Sequence, residues 1–242
     1  MRLAFVHARA LLLGFGRYPA FAIPTVILPT LFFVLFGLPN SHAPHRVIGA
    51  SFAAYAVLTV VFFLFGVGIA GERDQPWESY LRTLPVRVRV RLAGRILAAL
   101  VFAAAAAGLL LVTAAAAGFA NFGPTGWARF LLALLGGGVT LSLLGIALGY
   151  WVPAKGALPV ANVLYLLFSY AGGLWTGPHG LPPAAQAFAP FLPTRQWGDV
   201  LWPAVTGRPW RPEHWLALLG FACAFAALAA WGYRRDEGQR FR

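Results

Sequence analysis

VIGASFAAYAVLTVVFFLFGVGIAG, residues 47–71, is a run of 25 residues without a charged side chain, closed by Arg46 on one side and Glu72 on the other. Wound as an α-helix it would reach about 37 Å at 1.5 Å per residue, and a bilayer's hydrocarbon core is roughly 30 Å thick. The spacing recurs along the chain. No Asp, Glu, Lys or Arg lies between Arg17 and Arg46, Arg95 and Arg129, Arg129 and Lys155, Lys155 and Arg195, or Glu213 and Arg234, so six uncharged gaps of 20 to 39 residues fill most of the sequence. In lipid every backbone N–H and C=O must be satisfied within its own segment or a closed barrel. The pattern therefore predicts an all-α integral membrane protein with six transmembrane helices at approximately 20–38, 47–71, 96–118, 130–151, 157–176 and 214–233, in one domain over 1–242.

Composition agrees. With 60% hydrophobic residues, 242 residues carry too little polar surface to clothe a water-soluble globule. The net charge of +12 would suggest nucleic acid in a soluble protein. Here the cations flank the apolar runs, so topology accounts for them and no nucleic-acid partner is expected. If the N-terminus is cytoplasmic, the inner segments 1–19, 72–95, 152–156 and 234–242 hold 14 of the 19 Lys and Arg residues. The positive-inside rule then places both termini in the cytoplasm. Ala20-Phe21-Ala22 imitates a signal-peptide cleavage site, but Arg17 interrupts the apolar stretch just before it and the stretch runs on to Leu38, so retention is expected.

Arg2, Arg9 and Arg17 recur every seven or eight residues, among Leu3, Val6, Leu12, Leu13 and Phe15. A basic helix with apolar flanks suits the headgroup plane, and an extended first span with positive flanks fits as well. Pro24 and Pro29 can kink the first span. Gly136-Gly137-Gly138 and the Gly145-x-x-x-Gly149 pair are expected to serve close helix packing within the chain. Residues 177–213, rich in Pro and Trp, contain two apolar stretches too short to span. They predict short helices at the outer leaflet, anchored at the interface by Trp197, Trp202, Trp210 and Trp215.

Much of the function follows from what is missing. There is no Gly-x-x-x-x-Gly-Lys-Ser/Thr phosphate loop, and the lone lysine, Lys155, follows Pro153-Ala154. No carboxylate lies inside a predicted span, where ion-coupled carriers keep theirs. His7, His42, His45, His179 and His214 sit at span edges or in connections, and none has the spacing of a metal site. Ser142 and Ser169 have no base nearby in sequence, and the single Cys223 excludes an intrachain disulfide. Neither catalysis nor a metal or cofactor is expected.

The connection 72–95 stands out, holding nine of the chain's 26 charged residues. Pro76 suits a first helical turn, and Trp77, Tyr80, Leu81 and Leu84 follow at i, i+3, i+4 and i+7 as one apolar face. Glu78 and Arg82 form an i,i+4 pair on the polar side, and Pro85 ends the run. Two readings fit this short amphipathic helix: a docking element for a cytoplasmic partner, or a helix lying on the bilayer surface. Val86 to Arg91 alternates as a strand would, but as a helix the same residues put Arg87, Arg91 and Arg95 on one side.

With these residues in view, the chain resembles the membrane subunit of an ABC-2 type transporter. That family's inner loop runs roughly through an Arg-Glu pair, Gly-Thr-Leu-Glu-x-Leu, Thr-Pro and Gly-Lys. The counterparts here are Glu72-Arg73 in reversed order, Trp77-Glu78-Ser79-Tyr80-Leu81, Thr83-Leu84-Pro85 and Gly94-Arg95. Gly173-Leu174-Trp175, Leu181-Pro182-Pro183 and Ala189-Pro190-Phe191-Leu192-Pro193-Thr194 resemble the segment before the sixth span. Gln75-Pro76 replaces the usual Gly-Thr, and Trp77 stands where Leu is common.

The resemblance implies a permease in the cytoplasmic membrane of a bacterium or archaeon. It would be paired with a second copy or a sister permease, in contact with membrane lipid, and driven by a separately encoded ABC ATPase. It also implies export of a hydrophobic or amphipathic compound such as a drug-like molecule or lipid. Trp77, Glu78, Tyr80, Leu81 and Arg82 would form the ATPase-docking surface. The rival expectation is a membrane anchor or assembly factor that recruits a cytoplasmic protein through residues 72–95.

Overall fold

The computed structural model describes residues 2–17, 19–73, 75 and 88–240, and among them there is no strand. Helix α1 (Arg2–Gly16) precedes α2 (Pro19–Phe32), which continues into a π-helical turn, Phe33–Gly37. Helix α3 (His45–Val61) passes through a second π-helical segment, Phe62–Val67, into α4 (Gly68–Arg73). Then follow α5 (Val88–Ala116), α6 (Gly123–Trp151), α7 (Ala154–Ala171), the short α8 (Pro183–Phe188) with a 3₁₀ turn at Ala189–Phe191, α9 (Pro193–Thr206) and α10 (Pro212–Arg240).

Four stretches are long and apolar enough to cross a bilayer: His45–Arg73, Ala93–Ala116, Gly123–Trp151 and Pro212–Glu237. They contain the second, fourth and sixth runs expected from the charge spacing and most of the third, which was expected to reach residue 118 and ends as a helix at Ala116. The first expected run forms the shorter apolar helix Ala22–Gly37. The fifth forms α7, 18 residues with Lys155 near its start and Pro159 inside. The alternating Val-Arg stretch enters α5 as helix from Val88 onward. Pro24 and Pro29 lie inside α2.

The bundle is built around α3, in which every residue from Val47 to Val61 is buried. Helices α2, α5, α6, α7 and α9 all pack on it. Small residues make this density possible. A Cβ on Gly145 would fall 2.9 Å from the Val61 carbonyl oxygen, and one on Gly149 would fall 2.7 Å from Ile69 Cβ, so this glycine pair seats α6 against the α3–α4 rod. The three consecutive glycines face three partners: Gly136 meets Trp215 of α10, Gly137 meets Trp197 of α9, and Gly138 meets Val57 of α3. Helix α10 packs mainly on α6, and α1 lies against α5 and α2. In α1, Ala8 is buried while Leu3, Phe5, Val6 and Leu13 stay exposed.

Candidate functional site

The connection singled out by its charge follows α4 in the chain and precedes α5. Its proposed docking residues Trp77, Glu78, Tyr80, Leu81 and Arg82 lie outside the described residues, but its two roots are described. They form a polar cluster at one end of an apolar bundle.

Glu72 and Arg73 sit in the last turn of α4, where side chains three or four residues apart point the same way but adjacent ones diverge. The two therefore engage different neighbours. Glu72 accepts a hydrogen bond and ion pair from Arg95, about two turns into α5. Arg95 is 9% exposed, and such burial is tolerated for a guanidinium only when it is paired. Arg73 turns toward α6 and α10. Its Nη1 donates to the Tyr150 carbonyl oxygen, one of the last acceptors of α6, which no intrahelical N–H can satisfy. Its guanidinium lies 5.9 Å from the centre of the Tyr150 ring. Its Nε is 3.4 Å from Asp236 Oδ1 of α10, an ion-pair contact not aligned as a hydrogen bond. Asp236 is 8% exposed. The neighbouring Tyr233 donates its hydroxyl to Glu237, and the Tyr150 and Tyr233 rings meet edge to face with centres 5.5 Å apart.

Two adjacent side chains thus tie the exit of the connection to α5, α6 and α10. Asp236 and Tyr150 were not singled out from sequence. A usable signal existed: with only seven acidic residues in the chain, an Asp just past the last apolar run would, in the expected six-span order, fall at the same end of the bundle as Glu72-Arg73.

At the opposite end of the bundle, α9 plugs into the core. Its indoles correct the expectation that Trp197 and Trp202 anchor the chain at the membrane interface. Trp197 is 0% exposed and donates Nε1–H to the Ala133 carbonyl oxygen at 2.9 Å. Trp202 is 5% exposed and donates to Ser51 Oγ at 2.8 Å, with the Arg195 guanidinium 4.9 Å from its ring centre. An indole without lipid-facing surface cannot sit among headgroups, so both are packing residues. Trp210 and Trp215 are only partly buried. Arg9 and Arg17 are exposed. The side chain of Arg2 is outside the description.

Beside α9, where α2 and α7 end, a cleft of ≈ 410 Å³ is lined by Leu35, Phe36, Asn40, His42, Tyr170 and Trp175 among others. The Phe36 and Trp175 rings stack at 5.5 Å, with Tyr170 edge-on to Trp175 at 6.2 Å. His45 stacks on Phe119 rather than pairing with His42. Among the described residues no group of three or more His, Cys, Asp or Glu side chains is placed to hold a metal ion.

Long uncharged runs, a charged connection between the second and third of them, and a Pro- and Trp-rich segment before the last helix are the features that suggested a transporter subunit. Compared with known protein families, residues 3–201 match the model of the ABC-2 type transporter. The chain belongs to the ABC-2 type transporter family. This ABC-2 chain is also 22% identical over 227 residues to a protein of Bacillus subtilis (strain 168) named "Putative transport permease YvfS", an alignment covering 91% of the chain and 93% of that relative. No solved structure matches it. Family and long apolar helices together make it a membrane protein of a transport-permease family.

Proposed function

We propose that the chain is the six-span permease subunit of an ATP-driven exporter. In this reading α2 and α7 complete the membrane passage begun by the four long helices, both termini are cytoplasmic, and a second copy or sister permease completes the pathway. A separate ABC ATPase docks on residues 76–84. Trp77, Tyr80 and Leu81 fill a cleft on the ATPase, and Glu78 and Arg82 fix orientation at the rim.

The observation that carries the proposal is the double tie at the roots of the connection. A loop that merely reversed direction would need no anchorage. Here Glu72–Arg95 clamps exit to re-entry, and Arg73 locks the exit to α6 and α10. Force applied to the connection by nucleotide-driven closure of the ATPase therefore reaches four helices at once instead of being lost in a slack loop. The cleft walled by Phe36, Tyr170 and Trp175 supports a hydrophobic or amphipathic cargo, because such rings bind apolar bodies through area and stacking.

The test is to isolate the chain together with the ATPase that accompanies it and to measure which compounds stimulate hydrolysis. Stimulation by amphipathic compounds, lost when the permease is omitted, is the expected result. An ATPase that neither co-isolates nor responds would favour a non-transporting anchor.

A further inference from the structure

Near the roots of the connection, the exposed outer side of the bundle shows an arrangement that the coupling role does not use. On α10, Trp231, Arg234 and Arg235 follow one another at i, i+3 and i+4, so they share one face, and all three are exposed. Trp231 is 61% exposed and meets Trp151, the last residue of α6, edge to face at 4.8 Å. The Arg235 guanidinium lies 5.2 Å from the Trp151 ring centre, and Trp151 Nε1 donates to the Leu228 carbonyl oxygen, fixing the indole against α10. Lys155, four residues beyond Trp151, is exposed as well.

The acids that could neutralise these cations are turned elsewhere. Asp236, next in sequence to Arg235, is buried against Arg73, and Glu237 accepts the Tyr233 hydroxyl. Among the described residues Lys155, Arg234 and Arg235 therefore have no ion-pair partner, beside a two-indole shelf where two long apolar helices end. That depth is the headgroup level, favoured by indoles that keep one edge apolar and one polar.

We propose that this corner, where the end of α6 and the start of α7 meet α10, binds the headgroup of an anionic phospholipid, with Arg234, Arg235 and Lys155 of the first turn of α7 holding the phosphate charge and Trp151 and Trp231 bracketing the glycerol and upper acyl region. The proposal does not depend on the ATPase reading. Charge complementarity selects an anionic over a zwitterionic lipid, and the flanking indoles select a lipid over a soluble anion.

The test uses the full chain in mild detergent containing equal amounts of phosphatidylglycerol and phosphatidylcholine, with retained lipid measured by mass spectrometry after washing. Each exposed cation near an anionic surface contributes roughly a fivefold factor. Wild type should retain at least about tenfold more phosphatidylglycerol, falling as salt is raised, and inorganic phosphate should not displace it. Lys155→Gln/Arg234→Gln/Arg235→Gln should bring the ratio to within about twofold, with unchanged thermal unfolding in phosphatidylcholine alone. Arg208→Gln/Arg211→Gln, at the other end of the bundle, should leave the ratio intact. Should the triple variant fail to fold, Arg234→Gln alone carries the test, with an expected loss of roughly fivefold. A triple variant that keeps the full preference overturns the proposal, and so does ready displacement by phosphate. Loss of a co-isolating ATPase with the lipid preference intact would likewise overturn it, by making the patch a protein contact.

Discussion

Replacing Gly137 by alanine adds one methyl group to the middle of α6, and its cost can be worked from the geometry. The new Cβ would lie well under 3 Å from three atoms of the Trp197 indole, Cδ1, Cγ and Nε1. That ring is fully buried and held by its hydrogen bond to the Ala133 carbonyl oxygen at 2.9 Å. It can yield only by leaving its site. Overpacking of this kind costs about 1–3 kcal/mol, and losing the hydrogen bond adds about 1 kcal/mol. The gain in helix propensity on replacing glycine returns at most about 1 kcal/mol. The net is a loss of about 2 kcal/mol, or roughly 4–8 °C in the unfolding midpoint for a chain of this size. Heating the detergent-solubilised protein and following the folded fraction by size-exclusion chromatography measures it. Gly108→Ala and Gly220→Ala are the controls, since a Cβ at either position meets nothing within 4 Å, and neither should lower the midpoint. In a Trp197→Ala background Gly137→Ala should cost almost nothing further. If Gly137→Ala is as benign as Gly108→Ala, the packing of α9 under the α6 glycines is wrong.

Asp236→Asn removes the anion facing Arg73 in a mostly buried setting and should cost about 3 kcal/mol. The exchange Arg73→Asp/Asp236→Arg should recover part of that stability in the same assay but not the bond to the Tyr150 carbonyl; recovery of none would deny the pairing. Trp77→Ala should abolish co-purification of the ATPase, because an aromatic anchor at an interface is worth about 2 kcal/mol or more. Glu78→Ala should keep the complex and weaken the coupling of hydrolysis to transport, and normal ATPase recovery and transport with both variants would end the docking assignment. In a variant lacking Cys223, cysteines at His42 and Arg208 should react with an impermeant reagent in intact cells, and one at Glu78 only after permeabilisation. Labelling at 78 in intact cells would invert the topology.

The long helices were legible because charge is costly in hydrocarbon, so 47–71 and 214–233 announce themselves as uncharged intervals. Their true ends lie further out, at His45, Arg73, Pro212 and Arg240, because a helix goes on past the hydrocarbon boundary where charged residues become welcome again. The close packing of Gly145 and Gly149 could be expected from their spacing, although the partner could not. Trp197 and Trp202 were misread for a related reason. A tryptophan in a Pro-rich segment looks the same whether it rests among headgroups or fills a gap, and the gap that takes Trp197 is made by Gly137, 60 residues earlier. The tie at Arg73 was half visible: its own charge was conspicuous, but Asp236 and the Tyr150 carbonyl come from helices far along the chain.

Helix α3 carries a further consequence, for how the protein is made. The apolar window of His45–Arg73 is 83% buried inside the protein, against 17% for Pro212–Glu237, yet its mean hydropathy is the higher of the two. If hydropathy answered only to lipid contact in the finished bundle, the order would be reversed. A nascent helix must partition into the bilayer on its own merits before its neighbours exist, and α3 is synthesised before α5, α6, α7 and α9 are present to sheathe it. Its composition therefore suits a transient stage of biogenesis in which it stands in lipid. Polar substitutions on α3 that the mature core could accommodate through hydrogen bonds, as it does for Ser51 and Thr59, should be limited by membrane insertion before they are limited by folding.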